Sequence, residues 1–320
     1  MTAVLHGMFV ALLVLVVPTA YAATYPHKPV RFIVPYPPGG NADLMARLVA
    51  QKLTEYTGQN FVTDNRGGAG GVIGEEIGAR SPADGYTIVL VSTGHTLNPA
   101  MRKKLAYDPL KDLAAVSLLN SVPSVLVVHN SVKATTLPEF IALAKSQPGK
   151  LNSVFSMGTT LHVALELFKS MAGVNIVNVT YKSGGLGALD LDAGRVHMSF
   201  AVMTTAANLI KGGRVRALAV TSAKRSPAMP DVPAMAEFLP GYDVIGWQGI
   251  VVPAGTPRPI IDSLSRHIAK AMRAPDVAER LASMGSEAIG SSPDEFDRYR
   301  VDEYQKLAKL MAQTSIKPAY

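Results

Sequence analysis

The sequence predicts an α/β fold with mostly parallel strands, on a chain of 320 residues long enough for two domains. Three observations carry this. From Val30 onward, short β-branched runs alternate with stretches whose apolar residues recur at helical spacing. Glycine- or Ser/Thr-rich turns follow several of the strand candidates, where an open α/β sheet gathers its ligand. Hydrophobic residues make up 48% and charged residues 17%, so a substantial core is available and global disorder is excluded.

In chain order, the strand candidates are Val30–Val34, Phe61–Thr63, Thr87–Val91, Val122–Val128, Ile176–Val179, His197–Ala201, Val215–Val220 and Gly249–Val252. Helix candidates are Ala42–Thr57, Leu137–Ser146, Leu161–Met171, Ile260–Met272 and Pro293–Met311. The stretch Arg31–Arg47 sets the pattern. Phe32, Ile33 and Val34 are apolar and strand-like; Pro35, Pro37 and Pro38 stop the run, and Gly39 and Gly40 turn it. Asn41 reads as a helix N-cap, Asp43 lies in the first turn, and Leu44, Leu48 and Tyr56 follow at helical spacing. Such a turn brings unpaired N–H groups and the positive end of a helix dipole to one point, which suits a carboxylate or phosphate; an ordinary ligand-free turn reads equally well.

Four more turns follow the same plan: Asn65–Gly71, Ser92–His95, Ser156–Thr160 and Lys182–Gly185. Thr159 or Thr160 resembles an N-cap for the helix from Leu161. Leu161, Leu165, Phe168 and Met171 share a face and read as core. The Pro-rich connection Ser226–Pro240 is a candidate crossover.

Met8–Val17 is an unbroken apolar run followed by Pro18 and Ala20-Tyr-Ala22, the pattern of a secretory signal cut after Ala22 or Ala23. The expected product is exported. The sequence contains no cysteine, which excludes disulfides, thiolate metal sites and a Cys nucleophile. The net charge of +7 is spread without a basic stripe, so small anions fit better than nucleic acid. Gly68-Ala-Gly70 and Gly185-Leu-Gly187 lack the third small residue of a dinucleotide fingerprint, and there is no P-loop, Gly-x-Ser-x-Gly elbow or His-Glu-x-x-His. The histidines lack metal-ligand spacing, so no metal and no cofactor are expected. Asp192 reads as a surface residue rather than the partner of Asp190 in an acid/base pair.

Nearly the whole mature chain carries an ordered set of short motifs: Tyr25-Pro-His-Lys-Pro29, Pro35-Tyr-Pro-Pro-Gly-Gly40 with Asp43 and Arg47, Asn65-Arg66 with Gly68–Gly71, Ala83-Asp-Gly-Tyr86, Asn98-Pro99 and Tyr107-Asp-Pro109. Pro148–Asn152, Glu166–Gly173, Tyr181-Lys182, Arg216–Ser222, Pro230–Pro233 and Pro253–Pro257 continue the set in order. In this order and spacing the chain resembles the Bug-type periplasmic solute-binding proteins of tripartite tricarboxylate transporters. The resemblance implies a periplasmic, two-lobed type II binding protein with two crossover strands. Residues 25–122 and 247–320 would form lobe 1 and residues 123–246 lobe 2, closing on a small carboxylate for a membrane permease. A monomer without catalytic activity is expected.

The resemblance also implies a ligand site. Tyr36, Pro38, Gly39, Gly40 and Asn41 would contribute with Ser92, Thr93 and His95 from one lobe. Ser156, Gly158, Thr159, Thr160, His162 and Tyr181 would come from the other, while Asp43 braces its loop. Where the family usually shows Asp-Asn-Leu-Pro, this chain has Ala201-Val-Met-Thr204, and Met157 stands where small or polar residues are common. With Met157, Ala201 and Met203 in its wall, the pocket would suit an aromatic or aliphatic mono- or dicarboxylate. Two rival readings are a secreted hydrolase using Ser156 or Ser92 with His162 or His95, and a sensor whose loaded lobes contact a receptor kinase.

Overall fold

The computed structural model describes residues 25–102, 104–155, 159–181 and 184–313. The expected signal segment lies outside them, as do Ser156, Met157 and Gly158. The chain folds as β1 (Val30–Val34), α1 (Asn41–Thr57), β2 (Phe61–Asn65), α2 (Val72–Ala79), β3 (Thr87–Ser92), α3 (Gly94–Met101) and β4 (Leu113–His129). Next come α4 (Leu137–Ser146), β5 (Asn152–Phe155), α5 (Thr160–Ala172), β6 (Val177–Thr180), α6 (Gly184–Asp192) and β7 (Met198–Val202). It ends with α7 (Met203–Lys211), β8 (Val215–Val220), β9 (Ile245–Pro253), α8 (Arg258–Met272), α9 (Pro275–Ser283), β10 (Glu287–Ala288) and α10 (Pro293–Gln313).

The strands form one continuous sheet in the order β2-β1-β3-β9-β4-β7-β5-β6, with β8 and β10 also paired to β4. It divides into two halves. In the first, β2, β1 and β3 are parallel and β9 runs against them. In the second, β6, β5 and β7 are parallel and β4 runs against β7. The join is the antiparallel pair β4–β9, in register from Leu113 opposite Pro253 to Pro123 opposite Ile245. Past Pro123, β4 leaves β9 and pairs with β7 and β8. Pro123 lacks an N–H to donate and sits where the strand changes partners, a position proline tolerates.

Each half is packed on both faces, which is why its strands are apolar in near-continuous runs. In the first half, Phe32, Leu90 and Ile250 pack under α1, α8 and α9, while Ile33, Val91, Trp247 and Phe296 fill the opposite face. In the second, Phe168 stacks on Phe140 with ring centroids 6.1 Å apart and meets Phe200 edge-on at the same distance. One expected core position is corrected: Met171 is exposed in the last turn of α5. In α1 the buried apolar face is Met45, Ala46, Val49, Ala50 and Leu53, with Leu44 exposed. The Pro-rich connection Ser226–Pro240 is no crossover but a loop: its Ala234 bridges Val220 before the chain enters β9. β4 begins nine residues before the expected start, because Ala114, Ala115, Ser117 and Asn120 hide its first half and two register shifts interrupt it.

Candidate functional site

A cavity of about 410 Å³ opens where the two halves meet. Its described lining is Pro35, Tyr36 and Pro37 after β1, Gly68, Gly70 and Gly71 before α2, Ser92, Thr93 and Gly94 from the end of β3 to the start of α3, and Thr159 and Thr160 at the start of α5. Gly71, Thr93 and Thr159 occupy the N-cap positions of α2, α3 and α5. Three helix N-termini therefore converge on one space. The first turn of a helix leaves N–H groups without intrahelical partners and carries the positive end of the dipole, so this space attracts an anion. No Lys or Arg is among the described lining residues, so the attraction comes from neutral dipoles and not from a fixed counter-charge.

Close backbone approach makes this geometry possible. Gly68, Ala69, Gly70 and Gly71 all have positive φ, at 142°, 52°, 71° and 102°. The turn is held from behind by Asn98 Nδ2 donating to the Gly70 carbonyl and Arg102 Nη2 donating to the Ala69 carbonyl, both at 3.0 Å. A Cβ on Gly94 would stand 2.7 Å from the Gly70 carbonyl oxygen, so α3 and this turn fit only with glycine there. On one wall the Tyr36 hydroxyl and Ser92 Oγ are 2.5 Å apart. Burial, reinforced by the charge of nearby Glu75, raises the Tyr36 phenol and keeps it protonated. Thr159 Oγ1 accepts from the His162 amide at 3.2 Å, the N-cap bond expected of this position. Thr160 Oγ1 donates to Thr93 Oγ1 at 2.9 Å, a hydrogen bond that joins the second half of the sheet to the first across the cavity.

The site residues expected from the sequence divide into several groups. Tyr36, Ser92, Thr93, Thr159 and Thr160 line the cavity. Pro38, Gly39 and Gly40 form an exposed loop beside it that leads into Asn41, the exposed first residue of α1, and none of the four is among its lining residues. Gly40, not Asn41, is at the N-cap of α1, and no side chain caps that helix. Asp43 is buried beneath the loop and accepts from the Gly39 amide, Arg47 Nε and Asn65 Nδ2, each at 3.0 Å. The bond from Arg47 is the main reason its carboxyl is held down at about 2.

His95, His162, Tyr181, Ala201 and Met203 are not among the described lining residues. His95 is fully buried behind the cavity, its ring nitrogens facing Glu75 and Arg300. His162 is buried in the first turn of α5, and burial lowers its pKa. The Tyr181 hydroxyl donates to Asp190 Oδ2 at 2.6 Å; burial first and then this bond push the phenol up to about 12. Ala201 and Met203 pack into the core with Val125, Leu191 and Val220, because their β7–α7 corner faces inward. Ser156, Met157 and Gly158 lie outside the described residues.

The lining residues that sequence reasoning left out are Pro35, Pro37, Gly68, Gly70, Gly71 and Gly94. Their signal was present in the turns Asn65–Gly71 and Ser92–His95, which resemble the turn after β1. The hydrolase pairing of Ser92 with His95 is not formed, since Ser92 faces Tyr36 and both His95 nitrogens are engaged. Among the described residues, no group of three His, Asp or Glu side chains is placed to hold a metal ion.

Two α/β lobes joined by crossing strands, with a cavity at convergent helix N-termini, define a periplasmic-type solute-binding protein. Comparison with known proteins narrows the class. The model of the tripartite tricarboxylate transporter family receptor, TctC, matches residues 45–316. The chain belongs to this receptor family. BugT of Bordetella pertussis (strain Tohama I) is 37% identical over 315 residues, covering 97% of this chain and 96% of BugT. R. palustris Rpa4515, solved with adipate, superposes with a TM-score of 0.81 at 35% identity, over 90% of this chain and 98% of that one. MatC (Rpa3494) from Rhodopseudomonas palustris, with bound malate, gives 0.79 at 28% identity, over 90% of this chain and all of that one. The Bug-type resemblance read from the sequence is confirmed at the level of family and fold.

Proposed function

We propose that this protein captures a small organic carboxylate in the periplasm and passes it to the membrane permease of a tripartite transporter. Residues 25–122 and 247–320 would form one closing lobe and residues 123–246 the other. The observation that carries this reading is the convergence of α2, α3 and α5 N-termini on a cavity with no cation among its described lining residues. Such a site holds an ionised carboxylate with dipoles and hydroxyls, and avoids the cost of burying a second fixed charge. The lining prolines and the ring of Tyr36 favour an aliphatic or aromatic body over a highly charged one. Adipate on Rpa4515 and malate on MatC are carboxylates of compatible size.

The test is a thermal-shift screen of the mature protein over aromatic and aliphatic mono- and dicarboxylates. A ligand at 100 times its dissociation constant stabilises the folded form by about 2.7 kcal/mol. A melting rise confined to one group of acids supports the reading. Shifts from sugars or amines with none from acids would refute it.

A further inference from the structure

A second cavity, of about 430 Å³, opens at the far end of α3. The ligand cavity takes Thr93 and Gly94 at the N-terminus of this helix. The second takes Pro99 and Arg102 at its other end, about 12 Å away for 8 residues at 1.5 Å each. The α3–β4 connection supplies Lys104, Asp108 and Lys111, and α10 supplies Tyr304. Two of the motifs behind the family resemblance, Asn98-Pro99 and Tyr107-Asp-Pro109, fall here and not among the described lining of the ligand cavity.

The two cavities differ in charge. In the described lining of the second, Arg102, Lys104 and Lys111 stand against one carboxylate, Asp108. That carboxylate is already engaged: Lys111 Nζ lies 3.1 Å from Oδ2, and the Leu110 amide donates to Oδ1 at 3.0 Å. Lys104 is exposed and has no carboxylate partner among the described residues. Arg102 donates only to neutral acceptors, Nε to Asn98 Oδ1 at 3.3 Å and Nη2 to the Ala69 carbonyl at 3.0 Å. Two like charges lining one concave space repel, and an anion between them relieves the repulsion. A guanidinium carries five N–H groups in a planar fork, so Arg102 keeps donors for an oxyanion after both bonds are made.

Both of those bonds lead back to the ligand cavity. Ala69 lies between Gly68 and Gly70, which line that cavity. It holds φ at 52°, a conformation that a residue with a Cβ keeps only when its surroundings fix it. Asn98, the other acceptor, itself donates to the Gly70 carbonyl at 3.0 Å. One guanidinium therefore restrains the glycine turn and lines the second cavity.

We propose that this cavity is a second binding site, for a compact dianion carried as a phosphate or a dicarboxylate, and that filling it tightens acid binding at the ligand cavity by fixing Arg102 and the glycine turn. The site stands apart from the carboxylate reading above; its coupling rests on that reading. Reciprocity requires the captured acid to tighten the dianion by the same factor.

The experiment is calorimetric titration of the mature protein with inorganic phosphate, phenyl phosphate and succinate, against sodium chloride at equal ionic strength. One dianion per chain should bind saturably, and the probe whose binding depends on Lys104 identifies the source. Lys104→Gln and Arg102→Gln should each weaken it at least fivefold. Lys145→Gln, which removes an exposed charge on α4, should change it less than twofold. Heats that track ionic strength alone, or an equal loss in Lys145→Gln, mean diffuse attraction and overturn the site. Saturating phosphate should raise the affinity of the tightest acid from the screen at least threefold in the unaltered chain and not in Lys104→Gln. Unchanged affinity overturns the coupling and leaves the site standing. Competition that Lys104→Gln does not alter places the dianion in the ligand cavity and overturns both. Failure of every acid to bind removes the coupling together with the carboxylate reading and leaves the site, which is titrated without acid. If Arg102→Gln disturbs the turn, Lys104→Gln still decides.

Discussion

Replacing Thr93 and Thr160 by valine, singly and together, isolates the hydrogen bond that spans the cavity. Valine keeps the β-branched shape and replaces the hydroxyl with a methyl group. Thr160 Oγ1 donates to Thr93 Oγ1 at 2.9 Å in a partly buried position. A neutral hydrogen bond of this kind contributes about 0.5–1.5 kcal/mol net. If the bond forms only when the halves close on a ligand, the whole amount appears in binding, as about a 2- to 13-fold change in affinity. Each hydroxyl also lines the cavity, so a single substitution mixes the bridge with direct ligand contacts. The double-mutant cycle subtracts those contacts and leaves the coupling between the two residues. The assay is calorimetric titration of all four proteins with the tightest acid from the screen. Additive single effects, with coupling below about 0.3 kcal/mol, would refute a ligand-linked bridge. Equal coupling in the melting of the ligand-free proteins would show that the bond is present before closure.

Three further outcomes are expected. Gly94→Ala places a methyl group 2.7 Å from the Gly70 carbonyl oxygen, where backbone must yield, and should weaken ligand binding by about tenfold; native affinity would show that the turn relaxes freely. Asp43 has its carboxyl lowered to about 2, chiefly by Arg47, so its stabilisation is present above the ordinary carboxylate value near 3.8 and is lost as pH falls through about 2. Melting curves from pH 6 down to pH 2 should therefore show a shallower acid decline in Asp43→Asn than in the parent, and parallel declines would remove Asp43 from the brace. Phe168→Ala empties a position packed between Phe140 and Phe200 and should cost about 3–5 kcal/mol by urea unfolding. A loss under about 1 kcal/mol would mean that this core collapses onto the gap.

Long, strongly patterned elements were legible in the sequence. Val30–Val34, Leu137–Ser146 and Val215–Val220 are strand, helix and strand over the spans that their residues predict. The short helices α2, α3, α6, α7 and α9 were not. Gly74 and Gly78 sit inside α2, Pro99 inside α3, and Gly184, Gly185 and Gly187 inside α6, all residues that read as breakers. Tertiary packing overrides that preference: Gly74 lies against Pro35 and Gly78 against Val89, where any larger side chain would collide.

The sequence by itself determined the α/β class, the order of its main strands and helices, the family and the kinship of its glycine-rich turns. Local propensity and the spacing of apolar residues specify such features without reference to distant parts of the chain. Only the tertiary structure decided which turns share a cavity. It brought Gly71, Thr93 and Thr159 together, left Gly39–Asn41 on the outer loop, and turned His95 away into a buried contact with Glu75 and Arg300. The physical reason is that a dipole field and a hydrogen-bond cage depend on where helix ends point. That direction is set by how β4 and β9 carry one half of the sheet past the other, a relation no local stretch of residues contains.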